Sequence, residues 1–126
     1  MRRTAAFLLV AALVGCSDEG PQSAPGTLAA SVVGPNGDEG AAVILVLGDG
    51  VNSVSPAGGT DVYVRDGDST TRIVVLHPTG GTLGFELTVD DVTDPPSFII
   101  EEVAGPDDAL RADVSAYAVE TSEVTR

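Results

Sequence analysis

Thiol, imidazole and carboxylate are the groups here that could do chemistry, and their supply is uneven. Cys16 is the single cysteine and His77 the single histidine of the 126-residue chain, against nineteen Asp and Glu. A side-chain nucleophile needs a base within hydrogen-bond reach, and His77, placed before Pro78 at the end of an apolar run, reads as a turn residue instead. Zinc draws about three or four ligands from Cys, His and carboxylates, a set that one His and one Cys do not supply. Calcium takes about six to eight oxygens, and aspartates cluster as Asp66 with Asp68, Asp90 with Asp91 and Asp94, and Asp107 with Asp108. None of these completes the spacing of a calcium-binding loop, and each lies where Asp forms turns or caps helices. Two carboxylates could hydrolyse a glycosidic bond, but such a site also wants a groove lined by aromatic rings. Beyond Cys16 the rings are Tyr63, Phe85, Phe98 and Tyr117. Gly48-Asp49-Gly50 is too short for a phosphate-binding loop and has no lysine to help it. No cofactor, metal site or catalytic residue is assigned.

The elements that would position these groups are short strands. From Thr27 onward, apolar segments alternate with clusters of Gly, Pro, Asn and Asp, the spacing of a sandwich or barrel. Strands are predicted at Leu28–Val33, Ala41–Leu47, Val51–Ser55, Asp61–Arg65, Thr70–Leu76, Thr82–Val89, Phe98–Val103 and Asp113–Val119. In Thr82–Val89, Leu83, Phe85, Leu87 and Val89 fall on one face and Thr82, Gly84, Glu86 and Thr88 on the other, which places Phe85 in the core. Val43–Leu47 and Ile73–Leu76 are apolar on both faces and read as central strands. Asp66-Gly67 predicts a tight hairpin with positive φ angles, Pro78-Thr79-Gly80-Gly81 predicts another, and together they make Asp61–Val89 a three-stranded meander. Asp94-Pro95-Pro96 lacks two amide donors and belongs to a loop. Pro106-Asp107-Asp108 would start a helix well, so a helical turn at 106–111 followed by a strand is expected, with helix over 106–119 as the alternative. The expected fold is an all-β, antiparallel two-layer sandwich of about eight strands.

The first residues carry an address. Arg2 and Arg3 precede a ten-residue uncharged run, Ala5 to Val14, the order of a secretory signal. Ten residues cannot span a bilayer, which needs about 20. The run ends in Leu13-Val14-Gly15-Cys16, which resembles the lipobox of bacterial lipoproteins. The resemblance implies that the Cys16 thiol takes a diacylglyceryl group, that residues 1–15 are removed, and that Cys16 becomes an acylated N-terminus. Two or more acyl chains suffice for stable anchoring, at roughly 0.8 kcal/mol per buried methylene. In enteric-type lipoproteins Asp directly after the modified Cys marks retention in the inner membrane. Ser17 stands there, with Asp18 next, so the resemblance implies the outer membrane in a Gram-negative host. Residues 16–26 read as lipidated Cys and flexible tether, and 27–126 as one domain.

Charge narrows the partners. Loss of Arg2 and Arg3 with the signal would leave four arginines, no lysine and all nineteen acids. Nucleic acid needs clustered basic residues, and anionic lipid would repel such a domain, so the membrane is reached through the lipid on Cys16. Like charge also favours a monomer.

The segments Gly40–Leu47, Val51–Pro56, Ile73–Leu76 and Gly81–Val89 are similar in order to the strands of cohesin-like, immunoglobulin-type domains over about residues 27–119. The resemblance implies the sandwich architecture. The function expected is a lipid-anchored, non-enzymatic binding or structural module whose partner is an envelope protein or polysaccharide. The alternatives are a carboxylate-dependent hydrolase of envelope polysaccharide and a calcium-stabilised adhesion module.

Overall fold

Period-two runs of Val, Ile, Leu and Phe can bury one face of a strand only against a second layer. The computed structural model, which describes residues 24–125, builds that second layer. Its eight strands are β1 (Gly26–Val33), β2 (Glu39–Leu47), β3 (Val51–Ala57), β4 (Asp61–Asp66), β5 (Thr70–Gly81), β6 (Gly84–Val89), β7 (Ser97–Ala104) and β8 (Ala118–Glu123). They form two sheets of four, in the orders β3-β6-β1-β8 and β4-β5-β2-β7. All pairings are antiparallel, so the expected two-layer sandwich is found. The signal segment 1–15, with Leu13, Val14 and Gly15 of the lipobox, Cys16, the tether as far as residue 23, and Arg126 lie outside the described residues. The last part of the expected tether is engaged: Gly26 belongs to β1, and Ala24 accepts a hydrogen bond from the Val92 amide and donates its own amide to Asp91.

The core lies between the sheets. Leu28, Ala30 and Val32 of β1 and Phe85, Leu87 and Val89 of β6 face Ala42, Ile44 and Val46 of β2 and Ile73 and Val75 of β5, all buried. Phe85 meets Phe98 edge to face, with centroids 6.5 Å apart. Each Val, Leu, Ile or Phe side chain among them contributes on the order of 1.5–3 kcal/mol by leaving water. The expected core face Leu83, Phe85, Leu87 and Val89 is buried in full, and the strands read as apolar on both sides, β2 and β5, are the two central strands of their sheet.

Several expectations are corrected. The meander over Asp61–Val89 does not form, because β6 belongs to the other sheet. β5 is flanked by β4 and β2 and has no edge left for β6. Accordingly Pro78–Gly81 is not a hairpin: β5 runs through it, Gly81 pairs with Glu39, and the chain crosses between sheets at Leu83, 1% exposed. His77 is therefore a half-buried strand residue, its Nδ1 3.4 Å from Thr79 Oγ1, and not a turn residue. The Asp66-Gly67 hairpin does form, with neither residue at positive φ. Gly67 is close-packed there, since a Cβ would sit 2.9 Å from Thr70 Oγ1 and 3.2 Å from the Thr70 carbonyl oxygen.

The C-terminal part also differs from expectation. No helical turn forms at 106–111. Asp108 adopts φ 65°, Asp107 Oδ1 accepts the Ala109 amide, and Gly105 and Arg111 donate amides to Ala109 and Val103. The side chain of Asp107 thus captures an amide in a turn, and Leu110 bridges back to Ala104. The last strand begins at Ala118 in place of Asp113 because Asp113 Oδ1 holds the Ser115 amide in a second turn.

The pairing pattern is nested. β4 pairs with β5, β3 with β6, β2 with β7 and β1 with β8, as in one long hairpin; rolling it up lays β2 against β5 and β1 against β6. Only the β4–β5 connection stays within a sheet.

Candidate functional site

The two outward faces of the sandwich differ in chemistry. On β3-β6-β1-β8 the outward rows are Ser53–Thr88–Thr27 and Ser55–Glu86–Ala29–Ser122, with Ser53 and Thr88 hydroxyls hydrogen-bonded across strands. That is the polar face expected of a solvated antiparallel sheet. On β4-β5-β2-β7 the outward rows are Tyr63–Val74–Val43–Glu102 and Arg65–Arg72–Leu45–Ile99, with Leu47 beyond them. Tyr63 is 61% exposed, Ile99 47% and Leu47 37%. Contiguous apolar side chains on a sheet face mark interaction surfaces more often than single exposed residues do.

The polar groups on this face sit toward its edges. A bulge in β7 opposite Val43 and Ile44 supplies Glu101 as an extra residue. Its carboxylate takes a forked pair of bonds from Arg72, Nε to Oε1 at 2.9 Å and Nη2 to Oε2 at 3.3 Å, spanning β2 between them. The pair is exposed and contributes about 0–1 kcal/mol; its effect is to order the Arg72 side chain over Leu45. Arg65, directly opposite Arg72 on β4, makes no ion pair among the described residues.

Within the aspartate clusters, Asp91 and Asp107 spend their carboxylates on turn amides. The loops at 48–50, 67–69 and 90–96 lie at the end of the sandwich where the chain enters at Ala24, and a depression of about 400 Å³ between two of them is lined by Leu47, Asp49, Asp90, Asp94 and Pro96. Asp91 Oδ1 accepts from the Thr93 hydroxyl at 2.5 Å, the Thr93 amide at 2.9 Å and the Ala24 amide at 3.2 Å. These bonds, the Thr93 hydroxyl first, hold its carboxyl below the usual range. Asp90 accepts from Asn52 at 2.8 Å. Among the described residues, no three His, Cys, Asp or Glu side chains come together closely enough to hold a metal ion.

The opposite end holds a buried polar group that sequence reasoning missed. Glu39, 3% exposed, accepts from Tyr117 Oη at 2.9 Å and from Arg111 Nε at 3.1 Å, and Asn36 Nδ2 donates to Tyr117 Oη at 2.7 Å. The Glu39 bond raises the Arg111 pKa further. Both carboxylate oxygens of Glu39 are taken, Oε1 by Tyr117 and Oε2 by Arg111, which makes the group a clasp fastening the 105–117 loop over the sandwich rather than a site open to substrate. The ring of Tyr117 lies over Gly34, where a Cβ would come within 2.2 Å of it.

Of the rings weighed for a carbohydrate groove, Phe85 and Tyr117 are buried, Phe98 packs on the core and Tyr63 alone is exposed. The ring-lined groove that sugar binding calls for is thus not assembled from these four. No known protein family, curated protein or solved structure matches this chain.

Proposed function

We propose that the chain is a non-enzymatic binding module of a bacterial cell envelope, anchored through lipid on Cys16, which presents the outward face of β4-β5-β2-β7 to an envelope protein. The observation carrying this reading is the asymmetry of the two faces: Ser, Thr and Glu cover one, while Tyr63, Val74, Val43, Leu45, Leu47 and Ile99 crowd the other. A sheet that merely met water on both sides would have no use for the second arrangement. A protein partner suits it better than a polysaccharide, because sugar binding draws on several exposed rings and this face has one.

The anchor and the face are compatible in space. Residues 17–24 reach at most about 26–29 Å when extended, so the end bearing the aspartate loops stands nearest the lipid. The sheet face then rises away from the headgroups.

A photo-crosslinker at Ile99, with a second at Ser53 on the polar face as control, tests the reading in living cells. Position 99 is expected to yield an adduct with an envelope protein that position 53 does not, and Leu45→Ser is expected to abolish it. Equal adducts at both positions, or none at 99, would refute the face. Labelling with a palmitate analogue is expected to require Cys16; a Cys16→Ser chain that labels as well as the parent would refute the anchor.

A further inference from the structure

Four strands lie at sheet edges, and three of them are blunted. β3 contains Pro56 and a bulge, β7 is bulged and capped by Leu110, and β8 carries Glu120 and Glu123, acids of one sign. Such features are how sheets avoid pairing edge to edge. β4, Asp-Val-Tyr-Val-Arg-Asp, has neither a proline nor a bulge, and two of its large apolar residues are exposed. Tyr63 stands on the outward face. Val64 points to the core side of the sheet and is nevertheless 43% exposed, because nothing covers it from beyond the edge.

The free edge has a defined phase. Gly67 donates its amide to Thr70, and antiparallel pairs alternate between bonded and non-bonded, so Arg65, Tyr63 and Asp61 are the residues whose backbone bonds β5. Gly48 donates to Ser69 on the other side of β5, which fixes the same phase independently. Val62, Val64 and Asp66 therefore aim their amides and carbonyls away from the sheet.

From this geometry we infer that β4 pairs antiparallel with β4 of a second copy of the chain, about a two-fold axis at Tyr63. Bonded pairs must join outward-aimed residues on both copies, which restricts the register to even-with-even. Centring on Tyr63 makes Val62 and Val64 of opposite copies the bonded pairs. It also sets Asp61 against Arg65 twice on the outward face, flanking Tyr63 against Tyr63, and covers each Val64 with the Val62 of the other copy. Centring on Val62 would place Tyr63 against Asp61 and leave Arg65 outside; centring on Val64 would oppose Tyr63 to Arg65 and place Val62 against Asp66. Charge and apolar complementarity thus select one register, and the contact is isologous, so it closes at two copies. The result joins two sheets into one of eight strands and doubles the apolar face. This inference does not depend on the identity of any envelope partner. A single short strand buries less than the roughly 800 Å² per partner of a standard interface, and like charge opposes the approach of two copies, so the dimer is a weak one.

Single cysteines in the Cys16→Ser chain test the register. Opposed residues at a non-bonded antiparallel pair lie about 4.5 Å apart at Cα, within the span of a disulfide. Under mild oxidation Tyr63→Cys is expected to form covalent dimer at least 10-fold faster than Asp61→Cys or Arg65→Cys, although all three are exposed on one strand. A mixture of the last two is expected to cross-link as fast as Tyr63→Cys alone. In sedimentation experiments without new cysteines, Asp61→Arg and Arg65→Asp are each expected to raise the dissociation constant at least 10-fold, and the double exchange to return it to within about 3-fold. Equal cross-linking rates at all three positions, or a double exchange that restores nothing, would overturn the proposal.

Discussion

Glu39 finds its partners 72 and 78 positions along the chain, Arg111 and Tyr117, and the three hold one another in a place that water scarcely reaches. A buried carboxylate is tolerated when its lone pairs are filled, so removal of one donor should be felt even though no core volume changes. Tyr117→Phe keeps the ring over Gly34 and deletes only the hydroxyl. We expect it to lower stability by about 1–3 kcal/mol, the cost of leaving a buried polar group unpaired, read as a lower denaturant midpoint at unchanged slope. An unchanged midpoint would mean that water replaces the hydroxyl and that the clasp is ornamental. Residues of this kind are not legible in a sequence: Glu39 precedes an apolar strand and looks like a solvated end, and nothing in its neighbourhood names a partner so distant. The aspartates were legible, because an Asx turn is a local matter. Asp91 and Asp107 each bind the amide two residues on, as their turn-forming chemistry suggests; Asp113 does the same for Ser115, although it reads as the first residue of a strand.

At the scale of elements, periodicity identifies a strand and its buried face but leaves its neighbours open. Thr82–Val89 alternates without exception, and its four apolar residues are buried, yet the strand joins β1 and β3 instead of following β5. Which edge a strand pairs with depends on what the other strands have already filled, and this is a property of the set. The same limit hid the apolar outward face, since the reading of β2 and β5 as central strands explained their second apolar face without asking whether anything covers it. The crossover itself gives a test. Leu83 lies just outside β6, 1% exposed, where the chain passes from one sheet to the other, and its carbonyl accepts the Val32 amide. Leu83→Ala is expected to cost about 2–5 kcal/mol by transfer and cavity terms together, while Thr82→Ala, exposed beside it, stays within about 0.5 kcal/mol. Equal small effects in thermal or chemical unfolding would show that the crossover is loosely held and that the rolled arrangement does not rely on it.

The molecule as a whole carries a formal charge of −13, against two ion pairs among the described residues, Arg72–Glu101 and Arg111–Glu39. Salt acts on the net repulsion and on the exposed ion pair in opposite senses. It weakens the exposed pair, whose contribution is at most about 1 kcal/mol, and leaves the Glu39 pair largely alone because burial limits screening. It also screens the repulsion among acids that no ion pair offsets, and this sum is spread over the whole surface. Asp91 and Asp113 are held below the usual carboxylate range by their turn bonds, so the stability they contribute is complete above about pH 4 and is lost only as pH falls through their folded values. Raising sodium chloride at pH 7 shortens the Debye length from about 30 Å at 0.01 M to about 8 Å at 0.15 M. Repulsion between neighbouring loops then fades while close hydrogen bonds remain. The melting temperature is therefore expected to rise, by about 4–8 °C for each kcal/mol of repulsion relieved. A fall would mean that the exposed pair over Leu45 outweighs the repulsion of the whole acidic surface, and the weak affinity argued for the β4 dimer would then need a cause other than charge.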